Sequence, residues 1–220
     1  MNSNVAAKTI LCYGDSNTFG QRSDDVTKGR WPADTRWTGR LQQVLGNDYS
    51  IIEEGLSSRT TDIGYAQKPG RNGRTYLTPC LQGHHPLDLV VLMLGTNDLK
   101  DEFDRSAQDV AQAMEQLVLD IQKFAAEYSH PTKILIVSPI YIDDTAAHFA
   151  ELYDATYSHA SVLKSHELAE YLKETARAND CAFFNAASVA MAGEDGIHLS
   201  YDSHEVLAQA LGQCVTKLFS

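Results

Sequence analysis

A serine, an aspartate and a histidine in this 220-residue chain have the types and the setting for nucleophilic catalysis. Ser16 lies in Tyr13-Gly14-Asp15-Ser16-Asn17-Thr18-Phe19-Gly20, directly after the apolar run 9–13. A serine that follows a buried strand stands at the rim of a sheet, within reach of a ligand. Far downstream, Asp195-Gly196-Ile197-His198 supplies a carboxylate and an imidazole three residues apart, with a glycine between them that allows a tight turn. That spacing lets Asp195 accept from the ring Nδ1–H and leaves Nε2 for Ser16. Ser16 would then be the nucleophile, His198 its base and Asp195 the group that orients the base. The plainer readings are local: Ser16 as a helix N-cap, and Asp195 as an Asx-type turn ahead of the last helix. Each motif is weak alone, and only the pair points to catalysis.

The other seven histidines fit that role less well. His84 and His85 adjoin Pro86. His130, His148, His159, His166 and His204 fall in loops or on helices, without a matching acid in a strand-end loop. Gly95-Thr96-Asn97-Asp98 closes the most apolar run, and Asn97 there is either a turn former or an amide that donates to a developing oxyanion. In Glu53-Glu54-Gly55-Leu56-Ser57-Ser58, Gly55 is expected to make the turn, and the Ser58 backbone N–H is a further candidate donor. The Ser16 N–H, at the start of a helix, is another. Asn17, Gln21, Thr96 and Ile197 are expected to line the substrate pocket.

These residues need a scaffold that gathers them. Apolar runs of strand length occupy 9–13, 49–53, 88–94, 133–138 and 182–184. Between them, helical spacing marks four stripes. The first holds Trp37, Leu41, Val44 and Leu45; the second Val110, Met114, Leu117, Leu119, Ile121 and Phe124. The third holds Val162, Leu163, Leu168, Tyr171 and Leu172, and the last runs from Val206 to Leu218. A shorter helix is expected over 76–84. Strand–helix alternation predicts an α/β fold: a three-layer α/β/α sandwich around a five-stranded parallel sheet of flavodoxin-like order. Ligands then bind beyond the carboxyl ends of the strands, where Ser16, Gly55, Asn97 and the Asp195–His198 loop converge. The irregular stretches 21–34 and 61–74 are surface loops, pocket walls or subunit contacts.

Residues 1–220 read as a single domain. The net charge of −11 argues against nucleic acid and anionic membranes as partners. The N-terminus does not read as a signal peptide, and the longest apolar stretch, 89–94, is strand-sized, so a cytoplasmic location is expected. Cys12 and Cys181 read as small buried hydrophobes, and no disulfide framework is expected. Metal, phosphate-loop and dinucleotide motifs are missing, so no cofactor and no metal are expected.

Four blocks, Gly14-Asp15-Ser16, residues 53–61, Gly95-Thr96-Asn97-Asp98 and Asp195-Gly196-Ile197-His198, resemble in order those of the SGNH hydrolases, also called the GDSL esterase/lipase family. Longer pieces, such as Thr35-Arg36-Trp37-Thr38-Gly39 and Ile52-Glu53-Glu54-Gly55-Leu56-Ser57, resemble a narrower branch of arylesterases that also act as acyltransferases and perhydrolases. The resemblance implies Ser16, His198 and Asp195 as triad and an oxyanion hole from the Ser16 and Ser58 backbone and the Asn97 side chain. It implies a small ester as substrate and a homo-oligomer. Many relatives carry glycine at Ser58 and asparagine at Glu53. The branch usually has leucine at Asn17 and an aromatic near Gln21, so both are expected to make the pocket mouth more polar and to favour hydrolysis over transfer. The readings carried forward are a short-chain serine esterase, a carbohydrate acetylesterase of the same family, and a non-catalytic module that binds a small anion.

Overall fold

The computed structural model describes residues 4–25, 27 and 29–220. Residues 1–3 of the N-terminal stretch, and Val26 and Lys28 of the 21–34 stretch, lie outside the described residues. Strands β1 (Lys8–Gly14), β2 (Tyr49–Gly55), β3 (Leu89–Met93), β4 (Lys133–Ser138) and β5 (Ala182–Asn185) form one parallel sheet in the order β2-β1-β3-β4-β5. That is the expected flavodoxin-like order.

Alternate strand residues feed two cores, as a period of two requires. Ile10, Cys12, Leu89, Val91, Leu135 and Val137 pack with Trp37 and Leu41 of α2 (Trp37–Leu45) and Leu207, Leu211 and Val215 of α7 (Tyr201–Phe219). Leu11, Tyr13, Val90, Leu92, Ile134 and Ile136 face the other way. They meet α3 (Gly73–His84), α4 (Ala107–Glu127) and α6 (His159–Ala178) through Leu77, Leu81, Val110, Met114, Leu117, Leu168 and Leu172. Each fully buried leucine contributes on the order of 2 kcal/mol, so helices on both faces hold the sheet shut.

Several details differ from the sequence reading. Leu119 and Leu163 face outward, because each lies one or two residues from a core-facing neighbour and so turns ~100–200° round its helix. Val44 and Val206 are likewise exposed at the edges of their stripes. Cys181 is only half-buried, since it leads into the edge strand β5, whereas Cys12 is fully buried in the central β1. α3 starts at Gly73, because the Asn72 side chain accepts from the Thr75 N–H at 3.0 Å and caps it there.

Gly55 does not make the turn. It ends β2, where a Cβ would lie 2.1 Å from the Phe19 nitrogen, so glycine is needed for the close approach of α1 (Ser16–Phe19). The turn is Leu56-Ser57-Ser58-Arg59, closed by the Arg59 N–H on the Leu56 carbonyl at 3.0 Å, with Ser58 left-handed at φ 67°.

Candidate active site

The sheet register fixes where the polar residues emerge. Gly14 pairs with Gly55 on one side and Met93 on the other, so these three strands end level. Ser16, Ser58 and Asn97 follow within a few residues and share one rim. Asp15, not Ser16, caps α1, its carboxylate accepting from the Asn17 N–H at 2.9 Å. Ser16 is the first helical residue and keeps its hydroxyl for other partners. Gly14 is required there by packing: a Cβ would lie 2.1 Å from Thr18 Oγ1 and 2.8 Å from the Met93 carbonyl.

The 195–198 loop reaches this rim from the far side of the sheet. Gly196 is left-handed at φ 76°, and a side chain on it would strike the Asp143 carbonyl. The turn wraps Asp195, whose Oδ1 accepts from the Ile197 and His198 N–H groups at 3.0 and 2.9 Å. Its Oδ2 lies 2.5 Å from His198 Nδ1, and His198 Nε2 lies 2.8 Å from Ser16 Oγ. The Asx-type turn and the acid–imidazole contact therefore coexist in one carboxylate. Ser16, Asp195 and His198 are all at least 95% buried. His159 also meets an acid, Asp144, at 2.7 Å, but is 71% exposed, and its only side-chain partner among the described residues is that carboxylate.

Asn97 carries the third block to the same place. Its Nδ2 donates to Asp15 Oδ2 at 3.3 Å and to the Arg59 carbonyl at 3.2 Å. Burial pushes the Asp15 carboxyl up to about 6, against the pull of the Asn17 N–H and of His198, Arg59 and Lys100. Asp98 next door accepts from the Thr61 N–H and hydroxyl and pairs with Arg105 at 2.9 Å. Burial pushes it up to about 7. These bonds tie the Ser58 turn to the end of β3.

A cavity of about 420 Å³ opens over Ser16 and His198, with Ser58 and Asn97 in its wall. Gln21 and Ile197 line it. Asn17 and Thr96 do not, although both are buried beside it. The Asn17 amide is turned onto the His198 loop instead, so it does not make the pocket mouth more polar. Larger hollows of about 510 and 550 Å³ lie elsewhere and contain no such nucleophile–base pair.

Residues 12–206 match the GDSL-like Lipase/Acylhydrolase family. The chain belongs to this family. Its fold superposes on a carbohydrate acetylesterase from Sinorhizobium meliloti with a TM-score of 0.87 at 36% identity, covering 96% of this chain and 99% of that one. An aryl esterase from M. smegmatis gives a TM-score of 0.87 at 40% identity, covering 96% of this chain and all of that one. An acetylxylan esterase from Xylanibacter ruminicola is 29% identical over 149 residues, or 60% of this chain. That match spans 28% of the xylan esterase. Membership places the chain among hydrolases of carboxylic esters.

Several residues of the cavity wall carry little signal in the sequence. Tyr153 ends the five-residue helix α5 (Phe149–Tyr153), its ring 6.3 Å from that of His198. Tyr157 follows, fully buried. Burial is the main reason both phenols are raised above their ordinary range. A five-residue helix has too few turns to show periodicity, which is why α5 was not read. The cationic wall formed by Lys68, Arg71 and Lys100 was also missed. Its signal was Lys68 and Arg71 within the irregular 61–74 stretch, which does wall the pocket.

Among the described residues, Glu54, Cys80 and His84 form the one grouping of possible metal ligands, with donor atoms within 4.8 Å of one another. Glu54 and His84 already bond at 2.9 Å, and none of the three lines the cavity. No described helix is long and apolar enough to cross a membrane.

Proposed function

We propose that the protein is a serine esterase for short-chain acyl esters, working through an acyl-enzyme within one domain spanning residues 1–220. The observation that carries this reading is the unbroken chain from Asp195 through His198 to Ser16, at 2.5 and 2.8 Å. An ionised Asp195 accepts from Nδ1–H, so Nε2 is the acceptor for the Ser16 hydroxyl proton. His198 removes that proton as Oγ attacks the ester carbonyl. The oxyanion is held by the Ser16 and Ser58 N–H groups and the Asn97 amide. His198 then protonates the leaving alcohol. Water, deprotonated by His198, releases the acid and restores Ser16. An alcohol or peroxide in place of water gives transfer instead, a step included because the resemblance of residues 35–39 and 52–57 to the arylesterase branch implies it.

A carbohydrate acetylesterase is the second reading, favoured by the polar cavity and by the similarity to the S. meliloti enzyme. Acetylated xylose offered against phenyl acetate separates the two. A homo-oligomer in the cytoplasm completes the proposal; sedimentation and fractionation test those parts.

The deciding experiment is fluorophosphonate labelling with a panel of nitrophenyl esters. Labelling of the wild type but not of Ser16→Ala, with turnover best on acetate to butyrate, supports the esterase. An unlabelled wild type would favour the anion-binding module, and best turnover on C12 or longer would reject the short-chain assignment.

A further inference from the structure

The cavity over Ser16 has a charge pattern that opposes the rest of the chain. The chain holds 29 acidic against 18 basic residues. Apart from His198, the charged side chains lining the cavity are Lys68, Arg71 and Lys100, with one carboxylate, Glu102. Asp15, Asp98 and Asp195 lie beneath the floor, outside the lining. Each is engaged there: Asp98 with Arg105 and Thr61, Asp15 with Asn17 and Asn97, Asp195 with His198.

In so acidic a chain, surface arginines find acids readily. Arg22, Arg36, Arg40, Arg74 and Arg105 each sit against a carboxylate. Among the described residues, Lys68 and Arg71 form no ion pair. Arg71 is nevertheless held in place. Its Nε donates to the Ser57 carbonyl at 2.9 Å and its Nη1 to the Pro69 carbonyl at 3.2 Å. Its own carbonyl accepts from Thr60 at 3.0 Å, which anchors it beside the Ser58 turn. Lys100 lies deeper, 7% exposed, and donates to the Tyr65 hydroxyl at 2.8 Å. The 61–74 stretch thus presents a positioned guanidinium and an ammonium to the same space as the nucleophile. Leu152, Tyr153, Tyr157 and Ile197, which also line the cavity, are uncharged.

We propose that the preferred substrate is an ester whose alcohol portion carries an anionic oxygen group, a carboxylate or a phosphate, bound by Lys68 and Arg71 above Lys100. This rests on the esterase reading. The acyl part is short in that reading, so the anion belongs to the alcohol portion. With Nε and Nη1 already donating to carbonyls, Arg71 offers its Nη2 as a fixed charged donor, which suits a carboxylate or a phosphate oxygen alike.

The test compares kcat/KM on three aryl acetates: neutral 4-acetoxybenzamide, 4-acetoxybenzoate and 4-acetoxyphenyl phosphate. The two anionic arms separate carboxylate from phosphate recognition. Leaving-group reactivity differs among them, so the readout is how each anionic-to-neutral ratio changes in Lys68→Met and Arg71→Met. Each variant is expected to lower the ratio on the order of tenfold for at least one anion, mainly through KM, as loss of a charge-assisted contact does. Added salt is expected to lower the wild-type ratio in the same direction. Lys68 is exposed, so Lys68→Met alone keeps the test standing should Arg71→Met fail to fold. Ratios unmoved by both substitutions and by salt would overturn this proposal and leave the esterase intact. Absence of turnover on every ester, with no fluorophosphonate labelling, would overturn the esterase reading and this one with it.

Discussion

The side chain of Asn17 bonds the backbone on both sides of His198. Its Nδ2 donates to the Ile197 carbonyl at 3.2 Å, and its Oδ1 accepts from the Leu199 N–H at 2.8 Å. The residue after the proposed nucleophile therefore clamps the loop that carries the proposed base. Asn17→Ala would leave both backbone groups buried and unpaired, at a cost of ~1–3 kcal/mol each. The imidazole would lose its fixed aim at Ser16. The expected outcome is a fall in kcat on the order of 10–100-fold with KM little changed, and slower fluorophosphonate labelling. A purely structural role would lower stability and leave kcat of the folded fraction intact, which active-site titration would show.

Asn97 makes a sharper case because its amide already faces two acceptors, Asp15 and the Arg59 carbonyl. Donation to the oxyanion requires Nδ2, with its two hydrogens, to give up or share one of these long bonds, and Asn97→Ala then lowers kcat by roughly 10²–10³ with a small change in KM. Asn97→Asp should be worse than alanine. It sets a second carboxylate against buried Asp15 and turns a donor into an acceptor. Steady-state kinetics on one nitrophenyl ester ranks the two variants, and the reverse order would remove Asn97 from the oxyanion site.

What could be read ahead of the structure follows from how local each signal is. Ser16, Asn97 and the 195–198 turn stand out because polar residues directly beyond apolar strand runs have few positions to occupy. The sheet order followed from strand–helix alternation, since right-handed crossovers leave few alternatives. Asn17 and Thr96 were expected in the pocket, but neither lines it, and the Asn17 amide, second in α1, is spent on the backbone either side of His198. That placement depends on backbone geometry that spacing does not reveal. Tyr153, Tyr157 and Arg59 act through contacts across the fold. Nothing near Tyr153 or Tyr157 distinguishes them from ordinary surface or core residues, and Arg59, although inside the 53–61 block, shows no sign there of being buried.

Arg59 is a buried cation, 2% exposed, without a carboxylate partner among the described residues. Its Nη1 donates to the Gly14 carbonyl at 2.9 Å and to the Glu54 carbonyl, and its guanidinium stacks 4.2 Å from the Tyr13 ring centroid. It thereby joins the ends of β1 and β2 immediately after the Ser58 turn. Arg59→Met keeps much of the volume and removes the donors. It is expected to cost about 2–4 kcal/mol in urea unfolding and to lower kcat, because both Ser16 and Ser58 hang from those strand ends. Arg59→Lys should fall between the two, since an ammonium lacks the planar face and the fork. An unchanged unfolding midpoint in Arg59→Met would deny the residue this role.

His204 gives a prediction on pH. It is fully buried, and its Nδ1 accepts from the Trp37 N–H at 3.2 Å. Burial pushes its imidazole down to about 4, with Arg40 and Arg36 adding to the effect. Between pH 6.5 and 4 the unfolded chain binds a proton at this position and the folded chain does not. Stability contributed by His204 is thus present above the unfolded value and lost as pH falls through that window, by about 3 kcal/mol in total. Asp15 and Asp98 run the other way. Their carboxyls are pushed up to about 6 and about 7, so the folded chain binds those protons first and gains stability as pH falls. The raw wild-type profile mixes these with carboxylates held below their ordinary range, such as Asp101 and Asp109, and the difference between wild type and His204→Asn isolates one group. An asparagine can place Oδ1 near the Nδ1 position, accepting from Trp37 without titrating. Wild type should lose up to about 3 kcal/mol relative to that variant between pH 7 and 4 in urea unfolding. A difference that stays constant across the range would show that position 204 carries no proton-linked term.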